Sequence, residues 1–178
     1  MRQQVSKTRA VFLDRDGVIN RARVVEGKSY PPASLEDFEL LPGVEQAVND
    51  LKMAGFLIIV VTNQPDVATG LQSKAIVESM HKKLGDWLPV DAIYVCYHTD
   101  EDDCLCRKPK PGMLEQAAHE FNIDLAQSFL VGDRWKDIEA GQRVGCRCFF
   151  IDYAYQERKP EATYQKVDSL ASAAALII

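Results

Sequence analysis

FLIIVV, residues 56–61, is an unbroken apolar run bounded by Gly55 on one side and by Thr62 and Asn63 on the other. Six residues suit a strand better than a buried helix, and a strand with no polar face has to be covered on both sides. That requirement points to a parallel sheet between two layers of helices. The flanking pattern agrees. AVFL at 10–13, DAIYVCYH at 91–98, SFLVGD at 128–133 and CRCFFID at 146–152 have the same short apolar character. Between them, helical spacing runs from Pro42 to Gly55, from Ser73 to Leu84, from Pro111 to Phe121 and from Lys136 to Arg143, and VDSLASAAALII reads as a closing helix. Strands alternating with helices on short connections predict a doubly wound, mostly parallel, Rossmann-like α/β sheet of five strands. With 178 residues, 47% of them hydrophobic, and no internal repeat or linker, the chain is expected to form one domain over 1–178.

In such sheets the ligand site lies beyond the carboxyl ends of the strands. Three predicted strand ends carry polar groups: Asp14 and Asp16, then Thr62 and Asn63, then Asp133. D-R-D-G at 14–17 taken alone is commonly a solvated acidic turn. Behind a buried strand it becomes a carboxylate pair at i and i+2 that repels itself by about 4 kcal/mol at 4 Å and an effective dielectric of 20. Magnesium is the hard, oxygen-seeking cation that relieves this. Thr62 either caps a turn or, with the following N–H, binds a phosphate oxygen. Asp133 is either a helix N-cap or a further oxygen ligand. Lys108 lies in RKPKPG, where the prolines are expected to keep the backbone extended and the ammonium directed at phosphate charge.

Cys96-x-His98 and Cys104-x-Cys106 supply four soft donors within a short span, the set of a closed tetrahedral zinc site. The acidic tip Asp100 to Asp103 reads as solvated loop. Cys146 and Cys148 are expected to be buried thiols, and His81 and His119 structural residues without partners. A net charge of −5 provides no broad basic field for nucleic acid. MRQQVSKTRA lacks the apolar core of a signal peptide, and no run reaches membrane-spanning length, so a cytoplasmic monomer acting on a small phosphorylated molecule is expected.

Asp14-x-Asp16-Gly17, Thr62, Lys108 and Gly132-Asp133, in that order, resemble the haloacid dehalogenase superfamily of phosphotransferases over nearly the whole chain. FLDRDGVIN, VVTNQ, LVGD and the C-x-H with C-x-C-R-K-P loop narrow the resemblance to its zinc-loop branch of sugar-bisphosphate and histidinol-phosphate phosphatases. The resemblance implies removal of the 7-phosphate of a heptose 1,7-bisphosphate, with histidinol phosphate as the alternative substrate. It implies Asp14 as nucleophile, Asp16 as acid and base, and Thr62 and Lys108 as stabilisers of the phosphoryl group. It further implies substrate contacts from Asn63, Gln64, Arg107 and Arg134, magnesium on Asp14, Asp16 and Asp133, and zinc on Cys96, His98, Cys104 and Cys106.

TNQPDVATG departs from that branch at Pro65, Asp66 and Thr69, where a serine and a basic contact are usual, and Arg134 stands where a lysine is common. RARVVEGKSYPPASLEDF, between the acidic pair and the next helix, is too short for a large cap domain, which leaves selectivity to local loops that include Arg21 and Arg23. Two other classes compete. A signalling receiver domain shares acidic residues, a Thr and a Lys on the same kind of sheet, but places its phosphoacceptor on a middle strand and has no zinc loop. A zinc knuckle for nucleic acid conflicts with the negative charge and the few basic residues beside the loop.

Overall fold

The computed structural model describes residues 7–161 and 163–178; the charged N-terminal stretch considered above begins outside them. Six parallel strands form the main sheet, in the spatial order Ala92–Cys96, Leu57–Asn63, Ala10–Leu13, Phe129–Gly132, Arg147–Ile151 and Gln165–Val167. β1 (Ala10–Leu13) is central and buried throughout, pairing with β4 (Leu57–Asn63) on one side and β6 (Phe129–Gly132) on the other. β5 (Ala92–Cys96) lies outside β4, and β7 (Arg147–Ile151) outside β6.

Because side chains alternate along a strand, each strand feeds two cores. Val11, Leu13, Ile58 and Val60 point to one face, where they meet Val48 and Leu51 of α1 (Val44–Met53), Met80 and Leu84 of α2 (Lys74–Trp87) and Leu170 of α5 (Leu170–Ile177). Ala10, Phe12, Ile59 and Val61 point to the other, against Leu114 of α3 (Gly112–Glu120) and Ile138 of α4 (Trp135–Arg143). Complete burial of a Leu or Ile contributes about 1.5–3 kcal/mol, so these two apolar layers hold the sheet between the helices. The doubly wound architecture read from the sequence is the one observed. No helix among the described residues is long and apolar enough to cross a membrane.

Three local features differ from expectation. Arg23–Val25 (β2) and Lys28–Tyr30 (β3) pair as an antiparallel hairpin, turning at Gly27, whose φ of 73° favours glycine. All three β2 residues are exposed, so no buried face marks the strand in sequence. A sixth strand, β8 (Gln165–Val167), adds to the sheet edge with Val167 as its sole buried residue. RKPKPG is not extended: the Lys110 N–H donates to the Arg107 carbonyl at 2.9 Å, closing a turn. Proline restricts φ to about −65°, a value that fits a turn as well as an extended chain.

Candidate active site

The carboxyl ends of β1, β4 and β6 open into a cleft of about 440 Å³ whose walls include Asp14, Asp16, Tyr30, Arg107, Lys108 and Arg134. Asp14 directly follows β1, its N–H bound to the Val131 carbonyl at 3.0 Å. Lys108 is buried beside it. Its Nζ donates to Asp14 Oδ1 at 2.8 Å and to the Val61 carbonyl at 2.7 Å, and pairs with Asp137 Oδ1 at 2.7 Å.

Carboxylate oxygens of Asp14, Asp133 and Asp137 lie within 4.8 Å of one another, all on buried residues. Burial, reinforced by Asp137 and opposed by Lys108, raises the Asp14 carboxyl to about 6. Burial, then Asp14 and Asp137, push Asp133 well above its ordinary value. Burial also works against the Lys108 charge, but Asp137 and Asp14 outweigh it and raise the ammonium's pKa. Three carboxylates against one ammonium leave a formal −2 when all are ionised. Asp133 Oδ2 accepts from the Tyr155 hydroxyl at 2.8 Å, whereas the buried Oδ1 has no hydrogen-bond partner among the described residues. A hard divalent cation fits this donor set: oxygen ligands only, one of them unsatisfied, and a charge deficit of two. Gly17, at φ 89°, lets the chain pass over the group, since a Cβ there would sit 2.0 Å from Asp133 Oδ2.

Asp137 had no role in the sequence reading. The signal available was Gly132-Asp133 followed four residues later by a second Asp, which a helix beginning at Trp135 turns back toward the strand end. Asp16 lines the cleft, but its carboxylate is not in the three-membered group. It is held instead by Arg15, by Asn20 Nδ2 at 2.9 Å and by Gln64 Nε2 at 2.8 Å. Thr62 and Gln64 sit behind the cleft, each 1% exposed, with Gln64 Nε2 donating to Thr62 Oγ1 at 2.9 Å. Asn63 clasps the Lys108 backbone, donating to its carbonyl and accepting from its N–H, both at 3.1 Å. At the rim, Arg107 Nε donates to Asp100 at 2.8 Å, Lys136 shares that carboxylate, and Arg134 pairs with Glu157.

Cys96, His98, Cys104 and Cys106 converge as expected. Their donor atoms are 3.1–3.7 Å apart where paired, close to the roughly 3.4–3.8 Å edges of a tetrahedron with metal bonds of 2.1–2.3 Å. With four donors from protein, a tetrahedral ion held there would have no position left for water or substrate. Cys106 stands two residues before Lys108, and a Cβ on Gly112 would meet the Leu105 carbonyl at 2.3 Å, so the loop packs tightly on the start of α3. Cys146 and Cys148 are buried thiols, as read. His81 departs from expectation: its Nε2 lies 2.9 Å from Arg15 Nη1, a partner 66 positions away in sequence that no local pattern announces.

The HAD-hydrolase-like family model matches residues 105–173. A D-glycero-alpha-D-manno-heptose-1,7-bisphosphate 7-phosphatase of Photorhabdus laumondii is 36% identical, covering 88% of this chain and 90% of its own. A D-glycero-beta-D-manno-heptose-1,7-bisphosphate 7-phosphatase of Pseudomonas aeruginosa is 34% identical, covering 94% and 97%. Among solved structures, D,D-heptose 1,7-bisphosphate phosphatase of B. bronchiseptica, complexed with magnesium and phosphate, superposes with a TM-score of 0.81 at 31% identity, covering 95% of this chain and 97% of that one. Fold, acidic centre and these likenesses together define a phosphatase. The doubly wound sheet, with Asp14 at the end of its central strand, carries that chemistry. The chain belongs to the haloacid dehalogenase-like hydrolases, in the family of the D-glycero-D-manno-heptose-1,7-bisphosphate 7-phosphatases.

Proposed function

We propose that this chain hydrolyses the 7-phosphate of D-glycero-D-manno-heptose 1,7-bisphosphate through a phosphoryl group carried on Asp14. The observation that supports it most is the setting of Asp14: a buried carboxylate at the cleft floor, 2.8 Å from the Lys108 ammonium and grouped with Asp133 and Asp137. An Asp14 oxygen attacks phosphorus, the bond from phosphorus to the sugar oxygen breaks, and Asp16 protonates that oxygen. Water then attacks the aspartyl phosphate, Asp16 takes its proton, and inorganic phosphate leaves with Asp14 restored. Lys108 offsets charge on the transferred group. With a lone pair engaged by Gln64, the Thr62 hydroxyl keeps its hydrogen for the same group. Asp14 and Asp133 would hold magnesium, with Asp137 beside them, and the ion would supply the positive charge that lets an anionic nucleophile approach a phosphate. The same reading makes the chain a cytoplasmic monomer with a structural zinc.

Phosphate release from both anomers of the bisphosphate, from the 1- and 7-monophosphates and from histidinol phosphate, with and without magnesium, tests this reading. One equivalent of phosphate should leave the bisphosphate, yielding the 1-phosphate, and only with magnesium. Faster hydrolysis of histidinol phosphate would replace the substrate assignment.

Arg107 and Arg134 are assigned to the substrate beyond the reacting phosphate. In the free protein Arg107 is engaged by Asp100, an acid that Arg107 and then Lys136 hold near 2. A distal phosphate can take over the Arg107 fork, binding it with both oxygens. Arg107→Ala should therefore lower kcat/KM for the bisphosphate by roughly 10- to 100-fold and for the 7-monophosphate by much less. Equal losses on the two substrates would remove the distal role.

Zinc is assigned to positioning. Cys104→Ser should lower zinc content and depress kcat, because a displacement of Lys108 by about 1 Å costs on the order of 100-fold. Elemental analysis beside magnesium-dependent rates checks this, and a zinc-depleted variant with full activity would refute it. Added zinc should not replace magnesium in turnover.

A further inference from the structure

Arg15, between the two acidic residues of the motif, is 0% exposed, an unusual burial for a guanidinium. Its Nε donates to Asp16 Oδ1 at 3.2 Å, and its Nη2 reaches both Asp16 oxygens at 3.0 Å. The remaining arm, Nη1, ends 2.9 Å from Nε2 of His81 on α2. A guanidinium has only donors, so His81 Nε2 must accept, which places its proton on Nδ1 and keeps the ring neutral. Burial, followed by Arg15 itself, lowers His81 to about 4. One face of the guanidinium lies over Phe38, 5.6 Å from the ring centroid, and Phe38 is stacked on Trp87 of the same helix at 5.7 Å. α2 thus holds Arg15 by an acceptor and, through Phe38, by an aromatic stack, while Val77, Met80 and Leu84 fix the helix in the core.

We propose that His81 is a positioning residue for Asp16, acting through the buried guanidinium of Arg15. The proposal rests on the reading of Asp16 as the proton donor to the leaving oxygen. Asp16 sits on a tight bend one residue from Arg15, so the direction of its carboxylate depends on where the guanidinium is anchored. Asn20 and Gln64 hold the carboxylate from other sides, but neither fixes Arg15. His81 is the acceptor that does so from outside the motif. Without it, Arg15 Nη1 is left a buried donor free to seek another partner, and the carboxylate it holds turns with it.

A misplaced general acid has a signature that general loss of structure lacks. A sugar alkoxide needs a proton to leave, whereas p-nitrophenolate does not. Measuring kcat/KM on the heptose bisphosphate and on p-nitrophenyl phosphate reports the first phosphoryl transfer for both. Asp16→Ala is the reference and should lose far more on the sugar phosphate. His81→Leu, which removes the acceptor, should show the same selective loss, roughly 10- to 100-fold on the sugar phosphate. His81→Gln, which returns an acceptor oxygen to about the same place, should recover most of it. Should His81→Leu melt early, His81→Asn, whose acceptor falls short of Arg15, is expected to give the selective loss in a polar setting. Equal losses on both substrates, or no selective loss in either shortened variant while Asp16→Ala shows one, would overturn the proposal. Equal losses in Asp16→Ala itself would remove the acid role, and the proposal with it, a result distinct from failure at His81 alone.

Discussion

Asp14→Asn is expected to abolish turnover of every phosphomonoester while leaving a folded protein. The amide keeps the shape of the side chain and still accepts from Lys108, but it has no anionic oxygen to attack phosphorus. The loss should reach the detection floor, on the order of 10⁵-fold. The fold should tolerate the change because Asp14 carries an electrostatic cost in the metal-free protein. Its carboxyl is raised from 3.8 to about 6 by burial and by Asp137, against the pull of Lys108, a shift worth roughly 3 kcal/mol. For an acid whose folded pKa is raised, the cost is absent below the unfolded value near 3.8 and complete above about 6. In chelator, the stability of Asp14→Asn relative to wild type should therefore rise between pH 4 and 6, and magnesium should stabilise wild type more than the variant. Melting curves across that range check both statements. A variant that melts below wild type at pH 7 without metal would mean that Asp14 is needed for the fold rather than for chemistry.

Asp16→Ala should be the next most damaging change, with kcat on the sugar phosphate falling by about 100- to 10,000-fold, the usual contribution of a general acid and base. Both half-reactions should suffer, since in the proposed scheme Asp16 gives a proton in the first and takes one in the second. Removing this carboxylate also leaves the buried Arg15 without the partner it grips with two arms. Some stability should be lost too, unlike in Asp14→Asn. The pair of variants thus separates by both readouts: one inactive and at least as stable without metal, the other weakly active and less stable. An unchanged rate for the sugar phosphate in Asp16→Ala would assign Asp16 some other task.

The layered fold was legible because burial on both faces leaves an unmistakable mark: AVFL and FLIIVV have no polar face to offer solvent. The cluster of Cys96, His98, Cys104 and Cys106 was legible because its members are close in sequence, with spacing that suits a metal site. What escaped lies where tertiary contacts decide. β2 and β8 are three residues each and largely exposed, so neither carries an apolar pattern. Asp137 was given no role, because only the close approach of α4 to β6, at Gly132, brings it to Lys108. Arg15 was given no role either: its burial and its contact with His81 of α2 bring together residues far apart in sequence. The i and i+2 spacing suggested one shared site for Asp14 and Asp16, but the bend after β1 sends the carboxylates to different partners.

The claim on which all of this depends is that phosphate passes through Asp14. Acid-quenching the enzyme during turnover of the heptose bisphosphate and mapping its peptides by mass spectrometry tests that directly. One phosphoryl group should appear on the peptide carrying Asp14, in wild type with magnesium, and be absent from Asp14→Asn. Rapid turnover with that peptide unmodified, or a phosphoryl group found on another residue, would contradict it.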